Sequence, residues 1–322
     1  MTESKDLPKP APSNIAFIFP GQGSQAVGMG KDLAERHPIA RQTFEEADEA
    51  LGYKLSQVCF EGPEDQLRLT EITQPAILTV SVAALRVLEG RIPKPGYVAG
   101  HSLGEYSAHV ASGTMSFADA VRTVRNRGKY MQEAVPVGVG TMAAILGMEE
   151  ERVVAVCQDA AQGEVCEPAN INSPEQIVIS GNTAAVERGT KLADDRGAKR
   201  AKVLPVSAPF HCSLMKPAQD RLEADLNALK MQKPVYPVAC NVEASLVSDE
   251  LRARETLVAQ VTGSVKWEQC MRLLIGHGVE TYVEIGPGKV LCGLMRQIDR
   301  SKTSLNVSDE ASLAKALHHF GS

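Results

Sequence analysis

Short unbroken apolar runs alternate with longer stretches of helical period along this chain. Residues 15–19 (IAFIF) are five apolar residues in a row, the signature of a strand buried on both faces. The run ends at Pro20-Gly21-Gln22-Gly23-Ser24-Gln25, a loop with two glycines, and several helical stretches follow. One helix is predicted over 76–88, with Thr73 as N-cap, Pro75 near the first turn and Gly90 beyond its end. Tyr97-Val98-Ala99 reads as a second buried strand that runs straight into Gly100-His101-Ser102-Leu103-Gly104. A helix leaves that turn and stops near Gly113. The next starts at Ser116 and carries an apolar stripe through positions 117, 120, 121, 124, 131 and 135.

Residues 138–206 have an order of their own: strand 141–146, helix 149–161, strand 167–172, strand 176–180, helix 183–196, strand 199–205. This β-α-β-β-α-β order is the split βαβ, or ferredoxin-like, unit and reads as an inserted subdomain. Beyond it the pattern predicts a long amphipathic helix over 213–229, a strand over 235–240, helices over 251–261 and 265–275, and a strand over 281–285 ending in Gly286-Pro287-Gly288. Strands alternating with helices imply an α/β class with a largely parallel sheet. The division is a short disordered extension over 1–13, a main domain from 14–137 and 207–322, and the insert over 138–206.

Composition narrows the class. The chain has 322 residues, 43% of them hydrophobic and 23% charged, which fits a globular protein and excludes disordered and fibrous classes. A net charge of −5 gives no global basic footprint for nucleic acid. No stretch approaches 18 uninterrupted apolar residues, so no membrane-spanning helix is expected. The seven cysteines form no CxxC pair, and no histidine cluster has zinc spacing, so no metal site is expected. With no secretory signal at the N-terminus, a reducing cytoplasmic setting is the expectation. A monomer is expected.

The chemistry concentrates at Gly100-His101-Ser102-Leu103-Gly104. A GxSxG match alone is weak and also fits an ordinary strand-helix turn. Here it follows a predicted strand and opens a helix, as a nucleophile elbow requires. A serine nucleophile needs a base. Of the seven histidines, His211, in the loop Ser207-Ala208-Pro209-Phe210-His211-Cys212-Ser213, is the candidate. His101 neighbours Ser102, so its side chain points away from the nucleophile, and it suits a structural or carboxylate-binding role. Acyl transfer also needs oxyanion donors: the Leu103 N–H after the nucleophile, and the Gln22 N–H in the loop after the first strand. That loop approaches a dinucleotide fingerprint, but no acidic residue ends a second strand about 20 residues on. Arg127 lies on or beside an apolar stripe and precedes Gly128, where something approaches the backbone closely. A buried guanidinium wants a planar anion, either a substrate carboxylate or an internal Asp or Glu.

Six segments in order now carry a family resemblance: Phe19-Pro20-Gly21-Gln22-Gly23-Ser24-Gln25, Gly100-His101-Ser102-Leu103-Gly104-Glu105-Tyr106, Arg127-Gly128-Lys129-Tyr130-Met131-Gln132, Asn170-Ile171-Asn172-Ser173-Pro174, Pro209-Phe210-His211 and Glu284-Ile285-Gly286-Pro287-Gly288. The chain resembles the malonyl-CoA:acyl carrier protein transacylases of bacterial type II fatty-acid synthesis and the acyltransferase domains of polyketide synthases. The resemblance implies an α/β-hydrolase-like core with a ferredoxin-like insert. It implies Ser102 as nucleophile, His211 as base, the Gln22 and Leu103 N–H groups as oxyanion hole, and Arg127 as clamp for the malonyl carboxylate. It further implies that the Gln260 backbone carbonyl orients the histidine, and that His101 and Asn172 line the site. Leu103 and Phe210 resemble the malonyl-selective members, although many stand-alone members carry Ser where Phe210 stands.

The implied substrates are malonyl-CoA and acyl carrier protein, with no metal or redox cofactor and no nucleic-acid or membrane partner. Carrier proteins are acidic, so a chain of net charge −5 needs a local basic patch. Candidates are Lys289 and Arg296 near the Gly286 loop, and Lys199, Arg200 and Lys202 on the insert. Two alternatives share the elbow. A serine thioesterase admits water and needs no anion clamp, and a carrier-binding module without catalysis needs neither Ser102 nor His211.

Overall fold

The computed structural model describes residues 13–206 and 208–321, so the extension expected over 1–13 lies, Ser13 apart, outside the described residues, as does Ser207. The chain runs β1 (Ile15–Phe19), α1 (Lys31–Arg36), α2 (Pro38–Leu51), α3 (Leu55–Glu61), α4 (Glu64–Leu67), α5 (Thr70–Leu88), β2 (Tyr97–Gly100), α6 (Gly104–Ala111) and α7 (Phe117–Glu133). Then follow β3 (Gly140–Leu146), α8 (Glu150–Ala161), β4 (Cys166–Ser173), β5 (Gln176–Asn182), α9 (Thr183–Asp195) and β6 (Arg200–Val203). The remainder is α10 (Lys216–Ala228), β7 (Val238–Cys240), β8 (Ser245–Val247), α11 (Glu250–Ala259), α12 (Trp267–Gly276), β9 (Thr281–Ile285), α13 (Val290–Ile298), β10 (Thr303–Val307) and α14 (Glu310–Phe320).

Two sheets result. The larger has the order β10-β9-β1-β2-β7-β8 and is parallel except for the edge hairpin β7-β8. All five residues of β1 are buried, as an unbroken apolar run in a parallel sheet requires. The smaller sheet has the order β4-β5-β3-β6 with every pair antiparallel, and α8 and α9 pack together over it around their own apolar core. The two sheets are tied where β4 meets the segment before α12: Ile171 N–H donates to Val265 O at 2.9 Å, and Val265 N–H to Ala169 O at 2.8 Å.

Several boundaries differ from the sequence expectation. Helix α5 begins at Thr70, not near residue 76, and Pro75 sits inside it. Pro75 lies early enough that its missing N–H removes one bond to the first turn. The presumed N-cap Thr73 instead donates its hydroxyl to Leu67 O at 2.5 Å. By length and composition α5 is also apolar enough to cross a membrane, but 78% of that window is buried inside the fold. It packs against α2, α6 and α7 as a core helix. The strand expected over 235–240 is shortened to Val238–Cys240, because Pro237 cannot donate to a ladder, and Val235 N–H turns instead to Ser112 O. Past Gly288 the chain adds α13, β10 and α14, which the apolar pattern did not mark.

The parallel strands β1 and β2 are adjacent, with Phe19 opposite Gly100 at their carboxyl ends. The loop after β1 and the turn after β2 therefore emerge side by side. In an open α/β sheet this is where ligands bind.

Candidate active site

The turn after β2 is shaped by two glycines with no room for a side chain. A Cβ on Gly100 would lie 1.9 Å from the Gly104 carbonyl, and one on Gly104 would lie 2.2 Å from Phe19 O. Between them Ser102 is held at φ +53°, a conformation rare for a residue with a side chain. Asn241, just past β7, braces the turn: its Oδ1 accepts the Ser102 N–H at 2.7 Å and its Nδ2 donates to Gly100 O at 2.8 Å.

His211 reaches the nucleophile from the loop after β6. Its Nε2 lies 2.7 Å from Ser102 Oγ, and its Nδ1 lies 2.9 Å from the backbone carbonyl of Gln260. A carbonyl only accepts, so Nδ1 carries the proton and Nε2 presents its lone pair to the serine. His211 also has a positive φ, +58°, and is buried. Burial, reinforced by the Arg127 charge, pulls its pKa down to about 3, so the ring is neutral at pH 7.

The loop after β1 meets the elbow from the other side. A Cβ on Gly21 would come within 2.4 Å of His101 O, so only glycine lets this loop lie there. Ser24 Oγ donates to Gly21 O at 2.7 Å and fixes the turn. Among the described residues neither the Gln22 N–H nor the Leu103 N–H has a protein acceptor, whereas the Ser102 N–H is taken by Asn241. His101 turns away from Ser102, as expected: its Nε2 meets Asn172 Oδ1 at 2.7 Å, and its ring lies 5.6 Å from the Trp267 ring. Burial lowers its pKa, which keeps it neutral.

Arg127 comes from the middle of α7, a helix capped by Ser116, whose hydroxyl accepts the Asp119 N–H. The side chain is 1% exposed. Its Nη1 donates to Gln74 Oε1 at 2.8 Å, and its Nη2 to Gln260 Oε1 at 2.9 Å and Ser102 Oγ at 3.2 Å. The guanidinium lies over the Tyr106 ring at 5.6 Å. No Asp or Glu of the described residues forms an ion pair with it, so the internal Arg–carboxylate pair weighed above is absent. The sharp approach expected at Gly128 is the α5 backbone: a Cβ there would lie 2.5 Å from Thr70 O.

These groups open onto a cleft of about 270 Å³ between the two sheets. Ser102, Arg127 and His211 lie at its base, Asn172 and Phe210 on the insert side, and Val290 at the start of α13. Every site residue named from the sequence thus converges on one place. Three others were not assigned there. Gln74 holds the Arg127 guanidinium, and its signal was a polar residue in an otherwise apolar helix. Asn241 braces the elbow, and its signal was its place at the carboxyl end of a buried strand. Glu105, inside a quoted segment, is fully buried beneath both.

Residues 16–317 match the family described as acyl transferase domain. The malonyl CoA-acyl carrier protein transacylase of Bacillus subtilis is 48% identical over 306 residues, spanning 95% of this chain and 96% of that protein. The Escherichia coli K12 protein of the same name is 47% identical, spanning 95% and 99%. Among solved structures, the malonyl CoA-acyl carrier protein transacylase of Coxiella burnetii aligns with a TM-score of 0.94 at 42% identity, over 96% of this chain and 98% of that one. A malonyl-transacylase solved with its type II PKS acyl-carrier protein aligns at 0.93 and 44% identity, over 95% and 100%. The chain therefore belongs to the acyl transferase family that contains the malonyl CoA-acyl carrier protein transacylases.

Proposed function

We propose that this chain transfers the malonyl group of malonyl-CoA to the phosphopantetheine thiol of acyl carrier protein, through a malonyl-serine intermediate. One observation carries the reading within the family: a buried guanidinium, in direct contact with no carboxylate of the described residues, stands 3.2 Å from the hydroxyl that the histidine activates. A site for neutral acyl groups has no use for that charge. A dicarboxylic half-thioester supplies a carboxylate that can pair with it directly.

The chemistry follows from the atoms. His211 Nε2 removes the Ser102 Oγ proton as Oγ attacks the thioester carbonyl. The Gln22 and Leu103 N–H groups receive the oxyanion. His211 returns the proton to the departing CoA sulfur, leaving malonyl on Ser102. The pantetheine thiol then gives its proton to His211, attacks the ester, and Ser102 leaves reprotonated. The Gln260 carbonyl takes the orienting place that an acid holds in many triads. Arg127 holds the malonyl carboxylate, with Gln74 and Gln260 fixing its fork. His101 and Asn172 shape the wall, and Phe210 bounds the acyl end.

At the level of architecture we read the larger sheet and its elbow as an α/β-hydrolase-like core over 14–137 and 207–322. The four-stranded sheet over 138–206 is read as a ferredoxin-like subdomain, supported by its strand order and its separate apolar core. All seven cysteines are buried thiols, which supports a reducing, cytoplasmic setting. Arg200 and Lys202 on β6, which leads to the cleft-lining Leu204, and Lys289, next to the cleft-lining Val290, are exposed, and we assign the carrier's acidic surface to them. Lys199 is already paired with Glu175.

The test is incubation with isotopically labelled malonyl-CoA, followed by mass analysis of the peptide bearing Ser102. A stable malonyl adduct that carrier thiol discharges supports the transferase. Release of free malonate without an adduct indicates a thioesterase, and no turnover indicates a binding module.

A further inference from the structure

Beneath the elbow lies a carboxylate that the transfer chemistry above does not use. Glu105 sits in the first turn of α6 and is 0% exposed. Its backbone N–H donates to Ser102 O, and the Gln260 Nε2 donates to the same carbonyl at 3.0 Å. We propose that the Glu105 carboxylate is a positioning residue for acyl transfer. Its Oε2 accepts the Asn241 backbone N–H at 3.0 Å and the Gln260 Nε2–H at 2.7 Å, so that one anion sets Ser102, His211 and Arg127 together.

Each arm of that arrangement reaches a reacting group. Through Asn241, Glu105 fixes the Oδ1 that accepts the Ser102 N–H and the Nδ2 that donates to Gly100 O. Through the Gln260 amide it fixes which way that side chain points. With Nε2 turned to Glu105, Oε1 must face Arg127 Nη2, 2.9 Å away. The Gln260 carbonyl on the same residue orients His211. A flipped Gln260 amide would put N–H against N–H at Arg127 and release the clamp.

The ionised form fits this geometry. Oε2 already receives two donors, so a proton there would compete with them, and Oε1 has no protein acceptor for a proton. Burial works the other way and pushes the Glu105 pKa up to about 7. The titratable groups facing it are Arg127 on α7, its neighbour Tyr106, Cys240 at the end of β7, Cys270 on α12 and, beyond Gln260, His211. Burial raises the phenol and both thiols, so they are neutral, and Arg127 is the one charge among them. With its pKa pushed up to about 7, Glu105 changes its charge around neutral pH, where burial and the Arg127 charge keep the base His211 neutral.

The inference rests on the proposed transferase reading, and the experiment separates the two. Single-turnover malonylation of Ser102 is followed by mass in wild type and Glu105→Gln from about pH 5.5 to about pH 8.5. Wild type is expected to rise about tenfold through pH 7, the difference between charge-assisted and neutral hydrogen bonds. Glu105→Gln keeps the shape and an acceptor oxygen but not the charge. It is expected to stay near the low-pH wild-type rate throughout, with a Tm above pH 7 equal to or higher than wild type because the buried charge is gone. A wild-type rate flat through pH 7 overturns the proposal without any variant. So does a Glu105→Gln rate equal to wild type at high pH, an unchanged rise through pH 7, or a rate lost together with Tm. If wild type itself never acquires malonyl on Ser102, the functional reading fails instead.

Discussion

Arg127 brings a full charge into a pocket where its partners are two amides and a hydroxyl. That leaves its charge available to a substrate and also presses on the neighbouring base, since it is the second cause of the low His211 pKa. On the proposed reading, a malonyl carboxylate bound at Arg127 would neutralise the guanidinium and strengthen the base at the moment it is needed. Arg127→Ala should therefore lower kcat/KM for malonyl-CoA about 30- to several-thousand-fold, the cost of truncating a buried charge pair of about 2–5 kcal/mol. Acetyl-CoA leaves no carboxylate unpaired and gains a stronger base, so its transfer should hold or rise. A parallel fall for both substrates would make Arg127 structural. A second prediction concerns pH. The folded His211 pKa lies below that of the unfolded chain, so the unfolded chain binds the proton first and stability falls as pH drops from about 6.5 towards 3. Glu105 has the opposite sign: its stabilising, protonated form is lost as pH rises from about 4.5 to about 7. Urea titrations of His211→Asn at about pH 7 and about pH 5 should show a smaller loss on acidification than wild type.

At the scale of elements, the elbow and the α5–α7 crossing depend on backbones in contact. Thr70 O would meet a Cβ on Gly128 at 2.5 Å, and backbone cannot rotate away. Gly128→Ala thus offsets its gain of about 1 kcal/mol in helix propensity with an overpacking cost of about 1–3 kcal/mol, and it shifts Arg127 as α7 moves off α5. Its denaturation midpoint and its malonyl activity should fall together. Gly276, the last residue of α12, is the control: a Cβ there meets nothing within 4 Å. Gly276→Ala should stabilise the chain by about 0.4–1 kcal/mol and leave activity unchanged. Two glycines in helices with opposite outcomes separate packing from propensity in one denaturation series.

At the scale of the whole molecule, the cleft lies between two sheets, the smaller made of strands that fall between β2 and β7 of the larger. The tie at Ile171 and Val265 and the walls at Phe210 and Val290 set its width. Arg200 and Lys202 on β6 and Lys289 before α13 are exposed and outside the ion pairs of the described residues. Arg200→Glu with Lys202→Glu should slow transfer to carrier protein and flatten its salt dependence, while malonylation of Ser102 by malonyl-CoA stays intact. Equal loss in both half-reactions would place these residues in folding or CoA binding.

The local pattern of the chain was enough for β1, β2, the elbow between strand and helix, the β-α-β-β-α-β order and the apolar stripe of α7. Each of these is written in short-range periodicity and in glycines that only sharp turns require. The same reading named Ser102, because a nucleophile on a turn is a local feature. It reached His211 by elimination and Gln260 by resemblance, since nothing local ties residues so far apart to a serine. What tertiary structure alone decided is the company these residues keep. The start of α5 at Thr70 and the shortened β7 follow from neighbours, not from local signals. Gln74, Asn241 and Glu105 come from three separate segments of the chain, and only packing shows that they hold Arg127, the elbow and the Gln260 amide. The pKa of His211, down to about 3, and that of Glu105, up to about 7, are likewise consequences of burial. Burial belongs to the assembled fold, because a side chain loses its water only when distant segments of the chain close over it.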